Sequence, residues 1–132
     1  MGISDKDLIT AATEARENAY SRYSGCSVGA ALIDDQGRLH VGCNVENAAY
    51  PLGSCAEAGA IAAMVQEGGR RIARIAVVGG KGEVGSCTPC GGCRQRIAEF
   101  ADEKTVILAI DDSGDWQEYR IASLLPASFH LP

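Results

Sequence analysis

The stretch CAEAGAIAAMVQEGGRRIARIAVV, residues 55–78, decides the fold. Its first part is dominated by alanine, the residue with the best intrinsic helix propensity, and predicts a helix over 55–66 that stops at Gly68-Gly69. Its last part, 72–78, is an Ile/Ala/Val run interrupted only by Arg74, which predicts a buried strand. Helix, glycine break and apolar strand in succession are the repeating unit of an α/β layer. Upstream, residues 28–33 and 39–41 read as strands joined at Asp34-Asp35-Gln36-Gly37, a turn signal, and so form a hairpin. Residues 4–20 read as a helix with Ser4 as N-cap, Asp7 in the first turn and an apolar stripe of Leu8, Ala12, Ala15 and Ala19. Downstream, a helix opens near Cys90 and runs through 94–100, a strand covers 105–110, and a short strand falls at Glu118-Tyr119. The order α-β-β-α-β-α-β-β predicts a three-layer α/β/α architecture with a central mixed five-stranded sheet. No linker, repeat or low-complexity segment divides it, so one domain over residues 1–132 is expected.

The two helix starts in this scheme carry the chemistry. Cys90 and Cys93, in Pro89-Cys90-Gly91-Gly92-Cys93, have the spacing that lets two thiolates reach one ion at the start of a helix. A structural zinc site closes with four Cys or His ligands, but the chain has no second CxxC and its two histidines, His40 and His130, are isolated. If Cys55 supplies a third thiolate, the fourth position is left to water, whose pKa then falls toward neutrality. Glu57 lies two residues after Cys55, placed to take that water's proton and hand it to a substrate nitrogen. Helix N-termini favour anionic sulfur through their unpaired N–H groups and dipole, so thiolates form there without a basic neighbour. Three thiolates around zinc still leave a net charge of about −1, which calls for an offsetting cation.

Cys55-Ala56-Glu57 with Pro89-Cys90-Gly91-Gly92-Cys93 matches the all-cysteine form of the zinc nucleobase deaminase signature. Tyr23-Ser24, the run from Val28 to Leu32, Gly42 to Ala48, Tyr50-Pro51-Leu52-Gly53 and Cys90 to Gln95 extend the match, and over most of its length the chain resembles the small cytidine deaminases. That resemblance implies a cytidine-deaminase-like fold and hydrolytic deamination of cytidine and 2′-deoxycytidine in pyrimidine salvage. It implies that zinc is held by Cys55, Cys90 and Cys93, that hydroxide attacks C4, and that Glu57 shuttles protons. It also implies that Asn44 and Glu46 bond the ribose 3′-hydroxyl and that the Ala56 N–H meets the pyrimidine carbonyl. Tyr50 and Phe129 resemble residues that reach toward a neighbouring subunit's pocket, which implies a homotetramer with shared sites. In such deaminases one arginine follows the CxE glutamate and another follows the PCxxC pair, both donating to sulfur. Here Arg94 stands at the second place and Ala58 at the first, so Arg94 or another donor is expected to carry more of the thiolate charge compensation. Cys26 stands where relatives have an aromatic residue on the base, which implies a wider pocket and keeps open a second reading: a deaminase of N4-substituted cytidines or a blasticidin-type antibiotic.

Composition narrows the remaining classes. The 132 residues carry a net charge of −5, with basic residues grouped only at Arg70-Arg71 and Arg74, and 5% aromatic residues. Neither the electrostatic footprint nor the stacking platforms of a nucleic-acid editor are present, and a free nucleoside is the expected partner. No basic-plus-apolar leader and no membrane-length apolar run is evident, so a cytoplasmic protein is expected. In that compartment six cysteines read as metal or catalytic thiols, with Cys26, Cys43 and Cys87 outside the ligand set. A non-enzymatic zinc module would keep metal and fold but be indifferent to loss of Glu57.

Overall fold

A computed structural model describes residues 2–132. The helix α1 (Asp5–Arg16) is followed by the hairpin β1 (Cys26–Asp34) and β2 (Leu39–Cys43), a 3₁₀ turn at Tyr50–Leu52, α2 (Ala56–Gln66) and β3 (Ile72–Lys81). Then come α3 (Gly91–Phe100), β4 (Val106–Ile110), β5 (Trp116–Tyr119) and the single-turn α4 (Ile121–Leu124). The strands form one mixed sheet in the order β2-β1-β3-β4-β5, antiparallel throughout except for the parallel pair β3–β4, between which the chain crosses over through α3. The expected five-stranded mixed sheet and its hairpin are therefore found.

Because side chains alternate across a strand, β1 and β3 can be apolar on both faces only if both faces are covered. Ala30, Leu32, Ile75, Val77 and Ile107 face α2, where they pack with Ala56, Ala60, Met64 and, from α3, Ile97. Ala31, Ile33, Ala76, Val78 and Leu108 face α1 and pack on Leu8 and Ala12. Both helix layers approach the sheet at glycine. A Cβ at Gly42 of β2 would lie 2.5 Å from Ala56 O and Ala60 N, and one at Gly29 of β1 would run into the α1 backbone at Ala12 and Arg16. The first turn of α2, which carries Cys55 and Glu57, is thus seated directly on the sheet backbone.

The helix expected over 4–20 ends at Arg16. Ser4 caps it in a full capping box with Asp7, but beyond Arg16 long-range pairing wins over local propensity. Tyr20 N–H bonds Asn44 O, Glu46 N–H bonds Tyr20 O, and the Arg16 guanidinium reaches Ser27 O, Gly80 O and Gly82 O. The 3₁₀ turn and α4 were not foreseen; both are too short to leave a periodic signal. No helix among the described residues is long and apolar enough to cross a membrane.

The β1–β2 turn is held by a buried carboxylate. Asp34 Oδ1 accepts from Gln36 N (2.8 Å) and Arg38 N (2.9 Å), while Oδ2 bonds Arg38 Nε and His40 Nε2, each at 2.9 Å. Burial opposes this charge, but the hydrogen bonds from His40, Arg38 and Gln36 outweigh it and hold the pKa at about 2, against an ordinary value of 3.8. A pKa lower in the folded than in the unfolded chain stabilises the fold above the unfolded value, and that contribution is lost as pH falls through the folded value. Asp34→Asn therefore lowers the melting temperature at pH 7 by about 5–8 °C, from loss of roughly 2 kcal/mol of charged hydrogen bonding. It also flattens the fall in melting temperature that the parent shows between pH 4 and pH 2. Melting curves of both proteins across that range check this; parallel curves would contradict it.

Candidate active site

Two helix N-termini converge on one point. Serine, threonine, aspartate or asparagine is preferred at an N-cap, yet α2 is capped by Cys55 and α3 by Cys90, both with extended backbone and neither side chain bonding its own helix. Their sulfurs are left for another partner. Cys93, in the first turn of α3, completes the group: the three Sγ atoms all lie within 4.8 Å of one another, the one such cluster of potential metal ligands among the described residues. Zinc–sulfur bonds of about 2.3 Å in a tetrahedron need sulfurs about 3.8 Å apart, a spacing that falls within this bound. Without a cation the three thiols resist ionising together. Burial pushes Cys55 and Cys93 up, whereas at Cys90 burial is outweighed by hydrogen bonds from Cys93 N–H and the neighbouring thiols, and its pKa is lowered. This donor set, soft, crowded and short of positive charge, fits zinc.

Cys55, Cys90 and Glu57 open into a cavity of about 670 Å³; Cys93 is buried beneath them. Glu57 is 4% exposed, and its desolvation raises the carboxyl above its ordinary value, partly countered by its own backbone N–H, by Cys93 and by Arg96. A buried carboxyl beside a metal-binding cluster is placed to take up a proton and give it back. Ala56, wholly buried, is the first residue of α2, so its N–H is among those that the helix itself cannot satisfy.

The other expected residues are placed as follows. Asn44, Glu46, Tyr50 and Cys26 all line the cavity. Asn44 Oδ1 accepts from Val28 N (2.8 Å) and Nδ2 donates to Cys26 O (2.9 Å), which spends one donor and one lone pair and leaves one of each for a ligand. Glu46 Oε1 accepts from Tyr23 N (2.8 Å) and Ser24 N (3.1 Å), and Oε2 bonds the Ser24 hydroxyl; that hydroxyl bond is the main cause of its lowered pKa. Tyr50 is 78% exposed at the rim. Phe129 does not line the cavity; it is 69% exposed, its backbone clasped by Gln95 of α3 through Nε2–O (2.8 Å) and N–Oε1 (3.1 Å) contacts.

Arg94 differs from expectation. Its guanidinium bonds Pro89 O (2.8 Å), Leu124 O (2.9 Å) and Thr88 Oγ1 (3.4 Å), not cysteine sulfur. It follows Cys93 directly, so it leaves α3 on another side and ties the Thr88–Pro89 turn to α4. The residue that donates to sulfur is Arg96, with Nη1 3.5 Å from Cys93 Sγ, and the signal for it was the i, i+3 spacing that puts both on one helix face. Cys87 was also missed as a pocket residue. It lines the cavity with Cys26, and burial, followed by the charges of Glu57 and Cys26, raises its thiol to about 11, so it stays neutral.

The likenesses to known proteins agree with this site. Residues 3–109 match the family model described as the cytidine and deoxycytidylate deaminase zinc-binding region. The chain is 42% identical over 122 residues to a cytidine deaminase of Sporosarcina psychrophila, covering 92% of this chain and 88% of that one. It is 40% identical over 120 residues to one of Mycobacterium tuberculosis, covering 91% and 85%. Among solved structures, the cytidine deaminase of Burkholderia pseudomallei superposes with a TM-score of 0.85 at 41% identity, covering 96% of this chain and 99% of that one. The Mycobacterium leprae enzyme does so with 0.77 at 40% identity, covering 93% and 98%. With this fold, this thiol cluster and these likenesses, the chain belongs to the cytidine and deoxycytidylate deaminase family of zinc-dependent hydrolytic enzymes.

Proposed function

We propose that the chain converts cytidine and 2′-deoxycytidine, with water, to uridine and 2′-deoxyuridine, releasing ammonia. The observation that carries this reading is the buried Glu57 carboxyl beside the Cys55–Cys90–Cys93 cluster on the floor of a nucleoside-sized cavity. When bound, zinc supplies Lewis acidity, lowering the pKa of the attacking water. Glu57 takes a proton from that water and delivers it to ring N3, which makes C4 electrophilic. It then takes the second proton and gives it to the departing amino group, so one side chain serves as base and then as acid. The Ala56 N–H, at the start of α2, bonds the pyrimidine carbonyl. Asn44 and Glu46 bond the ribose 3′-hydroxyl; the spare donor and lone pair on Asn44 support this role, and Glu46 enters it already fixed by Ser24. Cys26 and Cys87 form an apolar wall for the base.

Arg94, in this reading, is a positioning residue that holds the turn before Cys90. Tyr50 and Phe129, both prominently exposed, extend toward a neighbouring copy in a homotetramer with shared sites. The chain acts as a single domain, in the cytoplasm, in pyrimidine salvage, on free nucleosides and not on nucleic acid. A substrate panel tests the assignment: cytidine and 2′-deoxycytidine are both turned over, while free cytosine, which forfeits two polar ribose contacts, falls by about 100-fold or more in kcat/KM. Turnover confined to N4-methylcytidine, with none on cytidine, would move the chain to the second reading that Cys26 keeps open.

A further inference from the structure

Three thiolates around a divalent cation leave the centre with an excess negative charge of about one, and the Glu57 carboxylate adds to it. Among the described residues, one cationic side chain donates a hydrogen bond to a ligand sulfur: Arg96, at 3.5 Å from Cys93 Sγ. Three features build this contact. Arg96 sits one turn beyond Cys93 on the same face of α3. Gly92 lets the guanidinium pass close, since a Cβ there would lie 3.3 Å from Nη1. Ala58, in the first turn of α2, lines the same groove between α2 and α3 and is short enough to leave it open for the guanidinium. Arg96 does not line the nucleoside cavity, so it reaches the metal centre from behind, through the buried thiol.

We infer that Arg96 is the positioning residue that fixes Cys93 as a metal-ligating thiolate and offsets the charge of the three-sulfur site. It performs the task for which Arg94 is too far round the helix. The inference rests on Cys55, Cys90 and Cys93 being the zinc ligands, and it predicts an effect on metal affinity as well as on turnover. Outer-shell partners of metal ligands are typically worth 10–100-fold in affinity, and a guanidinium on a thiolate belongs to that group.

The test is zinc affinity of the full chain by competition with a chromophoric chelator at fixed pH, for the parent, Arg96→Gln, and Arg96→Gln combined with Ala58→Arg. Melting of the metal-free proteins is followed in parallel. A parent that binds about one zinc per chain, together with a Cys93→Ala variant that binds none, secures the ligand assignment independently of Arg96. Arg96→Gln is then expected to bind zinc about 10–100-fold more weakly. Metal-free melting stays within about 2 °C of the parent, as for a surface substitution. With zinc saturating, kcat falls while KM for cytidine stays within about twofold, because no substrate contact is lost. Ala58→Arg in the Arg96→Gln background returns a guanidinium to the groove and recovers most of the lost affinity. Zinc affinity of Arg96→Gln within twofold of the parent would overturn the inference. So would a drop in metal-free melting large enough to account for the weaker binding, or a double variant that recovers none of the affinity.

Discussion

Glu57→Gln lowers kcat on cytidine by about 10³–10⁴-fold, the upper range for loss of a general acid–base, while zinc stays at about one per chain. The size of the effect follows from the residue's double duty. Every turnover needs two protons moved from water to the nucleoside, one to N3 and one to the amino group, and Glu57 is the one carboxyl that lines the cavity from beside the thiols. At 4% exposure it is shielded from bulk solvent, which is poorly placed to take over its proton transfers. Glutamine keeps the volume and most of the polar contacts, so α2 stays seated on Gly42 and the three sulfurs keep their places, but an amide cannot take up the proton. Metal content and melting temperature therefore separate the chemical defect from a structural one. Turnover within tenfold of the parent would remove Glu57 from the mechanism.

Cys93→Ala has the second large effect, and it reaches the metal first. Cys93 is the wholly buried member of the cluster, with Cys55 half-buried and Cys90 at the surface, so no outside group can take its place. With two thiols left, the variant loses zinc on gel filtration and shows no measurable turnover. A ligand bound at 1,000 times its Kd contributes about 4 kcal/mol to the folded state, so loss of zinc also lowers the melting temperature by about 10–15 °C. Stripping the parent with a chelator reproduces the loss of activity and most of the loss of stability. Zinc restores the stripped parent and leaves Cys93→Ala inactive. A variant that retains one zinc and turns over cytidine would show that the ligand set has been misassigned.

The sheet was legible because its strands are buried on two faces and so spell continuous apolar runs, at 28–33, 72–78 and 105–110, bounded by turn residues. The zinc cluster was legible because Cys90 and Cys93 are close in sequence and Cys55-Ala56-Glu57 sits at the preceding helix start. What escaped notice depends on partners distant in sequence. Nothing local stops a helix at Arg16; the stop comes from Asn44, Ser27 and Gly80, brought alongside by the sheet. Cys87 becomes a pocket wall through its bridge to Ile110 and its packing against Gly79, contacts that no window around residue 87 contains. The arginines show a subtler limit. The resemblance points to Arg94, directly after Cys93, but on this helix the side chain that meets the sulfur is three residues on, in a groove where α2 presents Ala58.

The most direct measurement joins metal and chemistry in one preparation: zinc per chain of the purified protein, together with the loss of cytidine's ultraviolet absorbance and the ammonia released. The prediction is about one zinc per chain and one ammonia for each cytidine converted to uridine. A protein that holds its zinc and leaves both cytidine and 2′-deoxycytidine untouched would contradict the proposed activity.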